Sequence, residues 1–573
     1  MPIPTTAHRM LALTASLILL FGCTEAPPPE KSQTATTTLE AGSNQIQPLV
    51  PAQEKGYAAA PPSPPFTAGS LHRQESVADS AYKMTASIQA APMVTEDMGG
   101  YAPPALNTES YTPVTENRFI ATANDPLSTF SIDVDTASYT NIRRFINDGN
   151  LPPVGAIRIE EMINYFTYTY PEPQAEPFSL VVEQGPAPWH RGHTLVKIGL
   201  QAKRPVTAEI PPSNLVFLID VSGSMEDQNK LPLLKQSMLM LLDQLGSRDR
   251  VSIVVYAGAD RVVLAPTAGD KKEEIRAAIS ALSSGGSTHG SSGIRTAYDL
   301  AGQVFMPQGN NRVILASDGD FNVGVTDRGE LQQLIAEKRD SGVYLTVLGF
   351  GMGNYHDDTM EILADSGNGN YAYIDSLLEA KKVLIKELAS TLFTLARDVK
   401  IQIEFNPAQV GAYRLIGYEN RILADEDFKN DKKDAGEIGL GHSVTALYEI
   451  IPAGAADIPE VDGLKYRKVS ASAEAGDELM TVKLRYKPAG LETSVLRDLA
   501  VKAVAPALDE TSDDFRFAAA VAGFGMLLKD SEYLQGMEYP VILDLARHSR
   551  GDDDEGYRAE FIRLVEMAEM LKR

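Results

Sequence analysis

The chain has 573 residues, 43% of them hydrophobic and 22% charged, with 76 acidic against 52 basic side chains and a formal net charge of -24. That length calls for several domains at ~100–200 residues each. The acidic excess speaks against nucleic acid, whose phosphates it repels, and against electrostatic docking on anionic lipid.

His8 and Arg9 precede an apolar run, Met10 to Leu20. This is a basic segment followed by a hydrophobic one too short to span a membrane as a mature helix. The run ends Leu20-Phe21-Gly22-Cys23, and Cys23 is the only cysteine in the sequence. A lone cysteine in an exported chain forms no internal disulfide. The stretch resembles a bacterial lipobox, with Phe21 where a smaller residue is usual. The alternative is an ordinary signal peptide with an accidental cysteine. The resemblance implies a signal peptide over residues 1–22 and a lipidated Cys23, anchored in a membrane by acyl chains such as palmitate. Thr24 follows, and in Gram-negative lipoproteins a residue other than Asp there goes with the outer membrane. The expected location is therefore the cell envelope, on its periplasmic or surface face.

Residues 23–117 are rich in Pro, Ser, Thr, Ala and Gln and show little periodicity, as in Pro61-Pro-Ser-Pro-Pro65. Such a composition predicts a disordered tether. About 90 residues of flexible coil span on the order of 50 Å root-mean-square. An α+β module is expected over residues 118–210. Its strand ends at Asp133-Val-Asp135, and Asp135 or Thr136 caps a helix carrying Tyr139, Ile142, Phe145 and Ile146. Asp133-x-Asp135 is superficially similar to the phosphoaspartate motif of haloacid-dehalogenase-type phosphatases, but Ala137 stands where Thr or Val is wanted. His190 and His193 share a loop after Trp189. Paired histidines can bind metal, but a third ligand is lacking nearby, so the pair reads as surface loop residues.

Asn214-Leu-Val-Phe-Leu-Ile-Asp220 is a short apolar run ending in an acid. It predicts a buried strand of a parallel sheet. Asp220, Ser222 and Ser224 alternate just beyond it. Open α/β sheets bind ligands at the carboxyl ends of their strands. Oxygen ligands suit a hard cation, Mg2+ or Mn2+, though a strand, a Ser-rich turn and a helix cap explain the same residues. A Gly-Gly-Ser-Thr288 loop and a second strand, Arg312 to Ser317, ending at Asp318-Gly319, follow in order. Together these segments resemble the von Willebrand factor type A domain. The resemblance implies a metal-ion-dependent adhesion site in which Ser222, Ser224 and Thr288 are direct ligands and Asp220 and Asp318 act mostly through water. It predicts a doubly wound, mostly parallel α/β sheet over residues 211–397, flanked by the N-terminal module, and closed by a helix from Leu377 to Ala396.

With neutral hydroxyls touching the cation, the metal stays electrophilic and favours an external carboxylate. The implied function is capture of a protein partner that presents an acidic side chain. The alternative is a metal-assisted hydrolase, for which His289 is the nearby base in sequence; no orienting partner accompanies it, and the chain is read as a non-enzyme. Residues 398–490 contain strand-like runs, among them Ser443 to Ile451 and Leu479 to Tyr486, and are expected to form a β-sandwich. The acidic run Asp425 to Asp431 lacks the Gly and Glu of a calcium loop and reads as solvated. Residues 491–573 are expected to be helical. The modules on either side resemble those accompanying a group of bacterial type A domain lipoproteins.

Overall fold

The computed structural model describes residues 109–204, 211–257, 259–285, 290–319, 328–460 and 476–572. The chain opens with β1 (Ile120–Ala121), β2 (Leu127–Ser131), α1 (Ala137–Asn147), α2 (Ile159–Asn164), β3 (Phe178–Pro186) and β4 (Thr194–Ala202). The α/β alternation then runs β5 (Ser213–Asp220), α3 (Leu231–Leu242), β6 (Arg250–Ala257), β7 (Ala259–Ala268), α4 (Lys272–Ser280), α5 (Gly290–Gln303) and β8 (Asn310–Ser317). It continues through α6 (Arg328–Asp340), β9 (Tyr344–Phe350), α7 (Asp357–Ser366), β10 (Tyr371–Ile374), α8 (Leu377–Lys381) and α9 (Leu388–Leu392). Six more strands follow: β11 (Thr394–Phe405), β12 (Val410–Ile416), β13 (Gly436–Gly439), β14 (Ser443–Pro452), β15 (Glu478–Pro488) and β16 (Val495–Lys502). The last elements are α10 (Asp513–Leu528), α11 (Tyr539–His548) and α12 (Tyr557–Lys572).

The six-stranded sheet has the order β10-β9-β8-β5-β6-β7. Its pairings are parallel except for the edge strand β7. β5 is buried along its whole length, as its unbroken apolar run requires. Helices cover both faces. Leu234 and Met238 of α3 and Ile275 of α4 pack on one side, and Tyr298 of α5, Ile335 of α6 and Met360 of α7 on the other. The sequence passes from β5 to β6 on one side and returns to β8 on the other. The switch point lies between β5 and β8, where such sheets open a crevice.

A second body of structure is an antiparallel sandwich. One sheet runs β1-β12-β14-β4-β3, and the other β13-β11-β15-β16 with β2 also paired to β11. Strands from either side of the α/β segment therefore share sheets: Ile120 faces Tyr413, and Phe130 faces Ile401. The apolar residues of Ile198, Ile403, Val444 and Val482 fill the space between the layers. The C-terminal helices do not form a core of their own. Phe517 and Phe524 of α10 and Phe561 of α12 join Tyr139 of α1 and Met162 of α2 in one cluster.

Three local expectations change. Residues 495–502, within the segment expected to be helical, form the edge strand β16 against β15. The segment from Leu377 to Ala396 is not one helix: a π turn over Lys382–Lys386 separates α8 from α9, and strand β11 begins at Thr394. Alternating Val399, Ile401 and Ile403 are buried against β15 and β2, so strand pairing takes over. Thr136 stands at the N-terminus of α1 without a capping side-chain bond. Asp135 serves another element, its Oδ1 accepting from the Tyr371 backbone N–H at 2.9 Å.

Candidate metal centre

β5 and β8 flank the switch point, and each ends at an acid. Asp220 closes β5 and Asp318 follows β8, both fully buried. The turn after Asp220 is held by that carboxylate: Oδ1 accepts from the Ser222 N–H at 2.9 Å. Oδ2 accepts from the Ser317 hydroxyl at 3.1 Å. The Ser222 and Ser224 hydroxyls lie 3.0 Å apart. Gly319 is the residue the second turn demands. Its φ is +90°, and a Cβ there would stand 2.6 Å from the His356 backbone nitrogen.

Lys230, at the start of α3, reaches across the crevice. Its Nζ donates to Asp318 Oδ2 at 2.9 Å and to Asn354 Oδ1 at 3.1 Å. Asn354 Nδ2 donates to the same Asp318 oxygen at 3.0 Å. The two acids consequently differ. Burial pushes the Asp220 carboxyl up to about 6, with Asp318 adding to the rise against hydrogen bonds from Ser222. Burial also works to raise Asp318, but Lys230 and Asn354 outweigh it and hold that carboxyl below its usual range. The centre offers two carboxylates and two hydroxyls, an all-oxygen set that fits a hard divalent cation.

Asp220, Ser222, Ser224 and Asp318 are thus gathered at one place. Thr288 and His289 lie outside the described residues. So do Cys23 and the apolar run before it. Among the described residues no helix is long and apolar enough to cross a membrane. Lys230 and Asn354 were not foreseeable as parts of the centre, because neither has a fixed spacing to the acids it serves.

The other candidates fall elsewhere. Asp133 and Asp135 both face Arg421, at 3.1 and 3.6 Å, inside a buried ionic network that joins the N-terminal segment to α7. Arg158 in the same network meets Glu161, Asp357 and Glu361 at 3.3, 2.8 and 2.7 Å. The acidic run near Asp425 also makes contacts of its own, Asp425 Oδ1 accepting from the Thr129 hydroxyl. His193 is not a surface residue: it is buried, and Asp457 and Glu449 bracket its ring. Both acids arrive from β14 and the segment beyond it, far away in sequence.

Three family models match the chain: von Willebrand factor type A domain over residues 214–387, von Willebrand factor over 105–197, and "Uncharacterized protein YfbK, C-terminal" over 390–571. The chain is similar to inter-alpha-trypsin inhibitor heavy chain H3 of Mesocricetus auratus, 26% identical over 275 residues, which cover 44% of this chain and 30% of that one. Among solved structures, "von Willebrand factor type A from Catenulispora acidiphila" aligns at 16% identity and a TM-score of 0.37, covering 65% of this chain and 87% of that one. "Uncharacterized protein YfbK" of Escherichia coli (strain K12) is 44% identical over 473 residues, 81% of each chain. Identity of that degree over that span, with the type A segment inside it, means that the chain belongs to the YfbK family of von Willebrand factor type A domain proteins.

Proposed function

We propose that this chain is a lipid-anchored envelope protein whose type A domain holds a divalent cation, Mg2+ or Mn2+, and through it captures an acidic group of a protein partner. The observation that carries the reading is the convergence of Asp220, Ser222, Ser224 and Asp318 at the β5–β8 switch point. Ser222 and Ser224 would supply hydroxyl ligands, and Asp220 and Asp318 the balancing charge, with Thr288 as the third hydroxyl. When bound, the cation supplies an electrophilic position for an external carboxylate. A groove of about 420 Å³ lined by Met225, Leu231, Pro232, Leu239 and Leu282 opens beside the Ser222–Ser224 turn and offers apolar area to the same partner. The role is binding, not catalysis.

Titration calorimetry with Mg2+ tests the centre. Asp220→Ala should weaken binding by ~10–100-fold, as loss of an outer carboxylate typically does. Equal affinity in the two proteins sinks the site. Partner capture from envelope extracts should be lost in EDTA, regained with excess Mg2+, and absent for Asp220→Ala. Capture that ignores EDTA removes the cation from the role. For the anchor, Cys23→Ser should leave the protein soluble or unprocessed. Unchanged membrane fractionation of that variant refutes lipidation.

A further inference from the structure

A second cluster of metal-ligand chemistry lies in the sandwich, away from the type A centre. The turn between β3 and β4 carries His190 and His193, and the segment after β14 brings Asp457 to them. The two imidazole rings stack, with centroids 3.5 Å apart and planes 20° from parallel. Nε2 of His193 lies 2.7 Å from Asp457 Oδ2, and Nε2 of His190 lies 3.8 Å from the same oxygen. One ligand atom from each residue falls within 4.8 Å of the others. A tetrahedral Zn2+ with bonds of about 2.0 Å separates its donors by ~3.3 Å. The two observed nitrogen–oxygen distances bracket that value.

We propose that His190, His193 and Asp457 form a transition-metal site of the Zn2+ class, with a solvent-facing position left for a further ligand. Two imidazoles and one carboxylate select Zn2+ and its neighbours over Mg2+ or Ca2+. The surroundings support the assignment. His193 Nδ1 bonds Glu449 Oε1 at 2.6 Å, and Glu449 Oε2 is held in turn by Arg414 at 2.7 Å. A carboxylate on the far nitrogen of a histidine fixes its tautomer and turns the other nitrogen's lone pair outward, as metal-binding histidines require. Phe119 packs edge-on against the His193 ring, and the Trp189 side chain beside it is buried, so one wall is dry. The Asp457 side chain is 44% exposed and leaves the other side open for entry.

A purely ionic cluster is the rival. Burial opposes a charge on His193, and hydrogen bonds to Glu449 and Asp457 outweigh it, so its pKa is raised. A protonated His193 between two carboxylates accounts for that ring. It holds His190 only loosely, with Nε2 3.8 Å from the same carboxylate oxygen, beyond hydrogen-bond reach. His190 Nδ1 is buried with no hydrogen-bond partner. A shared cation would engage both imidazoles once the His190 ring turns out of the stack, because rings 3.5 Å apart and 20° from parallel do not aim their in-plane lone pairs at one point.

The test uses the purified full chain carrying Asp220→Ala, which weakens the type A centre, with excess Mg2+ to occupy what remains of it. Zn2+ alone is titrated calorimetrically with Mg2+ in excess, and Co2+ alone is followed by its visible absorption. The expected result is one Zn2+ per chain and a Co2+ spectrum of tetrahedral intensity. His190→Ala and Asp457→Asn should each weaken Zn2+ by at least about tenfold and bleach the Co2+ bands, with circular dichroism unchanged. His190 sits in a turn and Asp457 at the surface, so neither change empties a core. Zn2+ affinity that is the same in the His190→Ala and Asp457→Asn variants as in the Asp220→Ala parent, or no Zn2+ binding by that parent, overturns the site and leaves an ionic clasp between two segments.

Discussion

Lys230→Met is the sharpest probe of the type A centre. The ammonium and Asp318 lie 2.9 Å apart with side-chain exposures of 4% and 0%. Methionine preserves much of the length and removes the charge. Asp318 then keeps Asn354 as a donor but loses its cation, and buried Asp220 stands nearby. Breaking a buried pair from one side costs ~3–5 kcal/mol. In EDTA the midpoint of thermal unfolding should therefore fall by roughly 6–12 °C for ~3 kcal/mol in a cooperative unit of ~150–250 residues. A divalent cation at the same acids replaces the missing charge. Mg2+ affinity should rise about tenfold in the variant, which is ~1.4 kcal/mol. By linkage, saturating Mg2+ must then narrow the stability gap by the same ~1.4 kcal/mol. Calorimetry and thermal unfolding of the full chain, with EDTA and with Mg2+, measure the two sides of that equality. A variant as stable as the parent in EDTA, with unchanged Mg2+ affinity, would refute the reasoning.

Two further expectations concern the buried ionic network. Burial, then the charge of Glu419, pushes the Glu160 carboxyl up to about 8 from its ordinary 4.5. The folded protein keeps a proton that the unfolded chain has lost, so stability falls as pH rises from 4.5 to 8, by at most ~5 kcal/mol. Glu160→Gln should stabilise the protein at pH 8 and change little at pH 4.5 in denaturant titrations; equal effects at both would show the carboxyl ionises normally. Arg158→Met removes the cation that Glu161, Asp357 and Glu361 share, leaving Glu361 with Arg421 at 3.6 Å, and should cost ~3–5 kcal/mol, read from the same titrations. A loss below ~1 kcal/mol would mean that water already screens these pairs.

The type A sheet was legible because its strands are short apolar runs ending in acids, and a buried parallel strand needs little else. Asp220 and Asp318 follow directly from that pattern. The partners that set their charge do not. Lys230 lies in an ordinary helix start, and Asn354 in a loop without a motif. The sandwich was half legible. Alternation marks β14 and β15, but nothing local says that β4 inserts beside β14 or that β2 lies on β11. Those pairings are chosen by the shared apolar core, across long sequence separation. The same reason hid Asp457 from His190 and His193, and made Asp133 and Asp135 look like a free acidic pair when Arg421 takes both.

The loop that carries Asn354 also explains how the N-terminal segment bears on the centre. Glu109 Oε1 accepts from the Gly353 N–H at 2.7 Å, and Arg144 holds the same carboxylate at 2.9 Å. Ser110 pairs with the loop through its backbone, donating to Tyr355 and accepting from Asp357. Asn354 lies between these clamps and donates to Asp318. Gly319, directly after Asp318, packs against His356 of the same loop with no room for a side chain. Glu109, Ser110 and the Asp318 carboxylate thus share contacts with one loop, residues 353–357. On the other side, Asp357 is fixed by Arg158 from the segment before α2. The N-terminal segment is thus part of the scaffold of the type A centre rather than an appendage to it, and variants there should be judged by cation affinity as well as by stability.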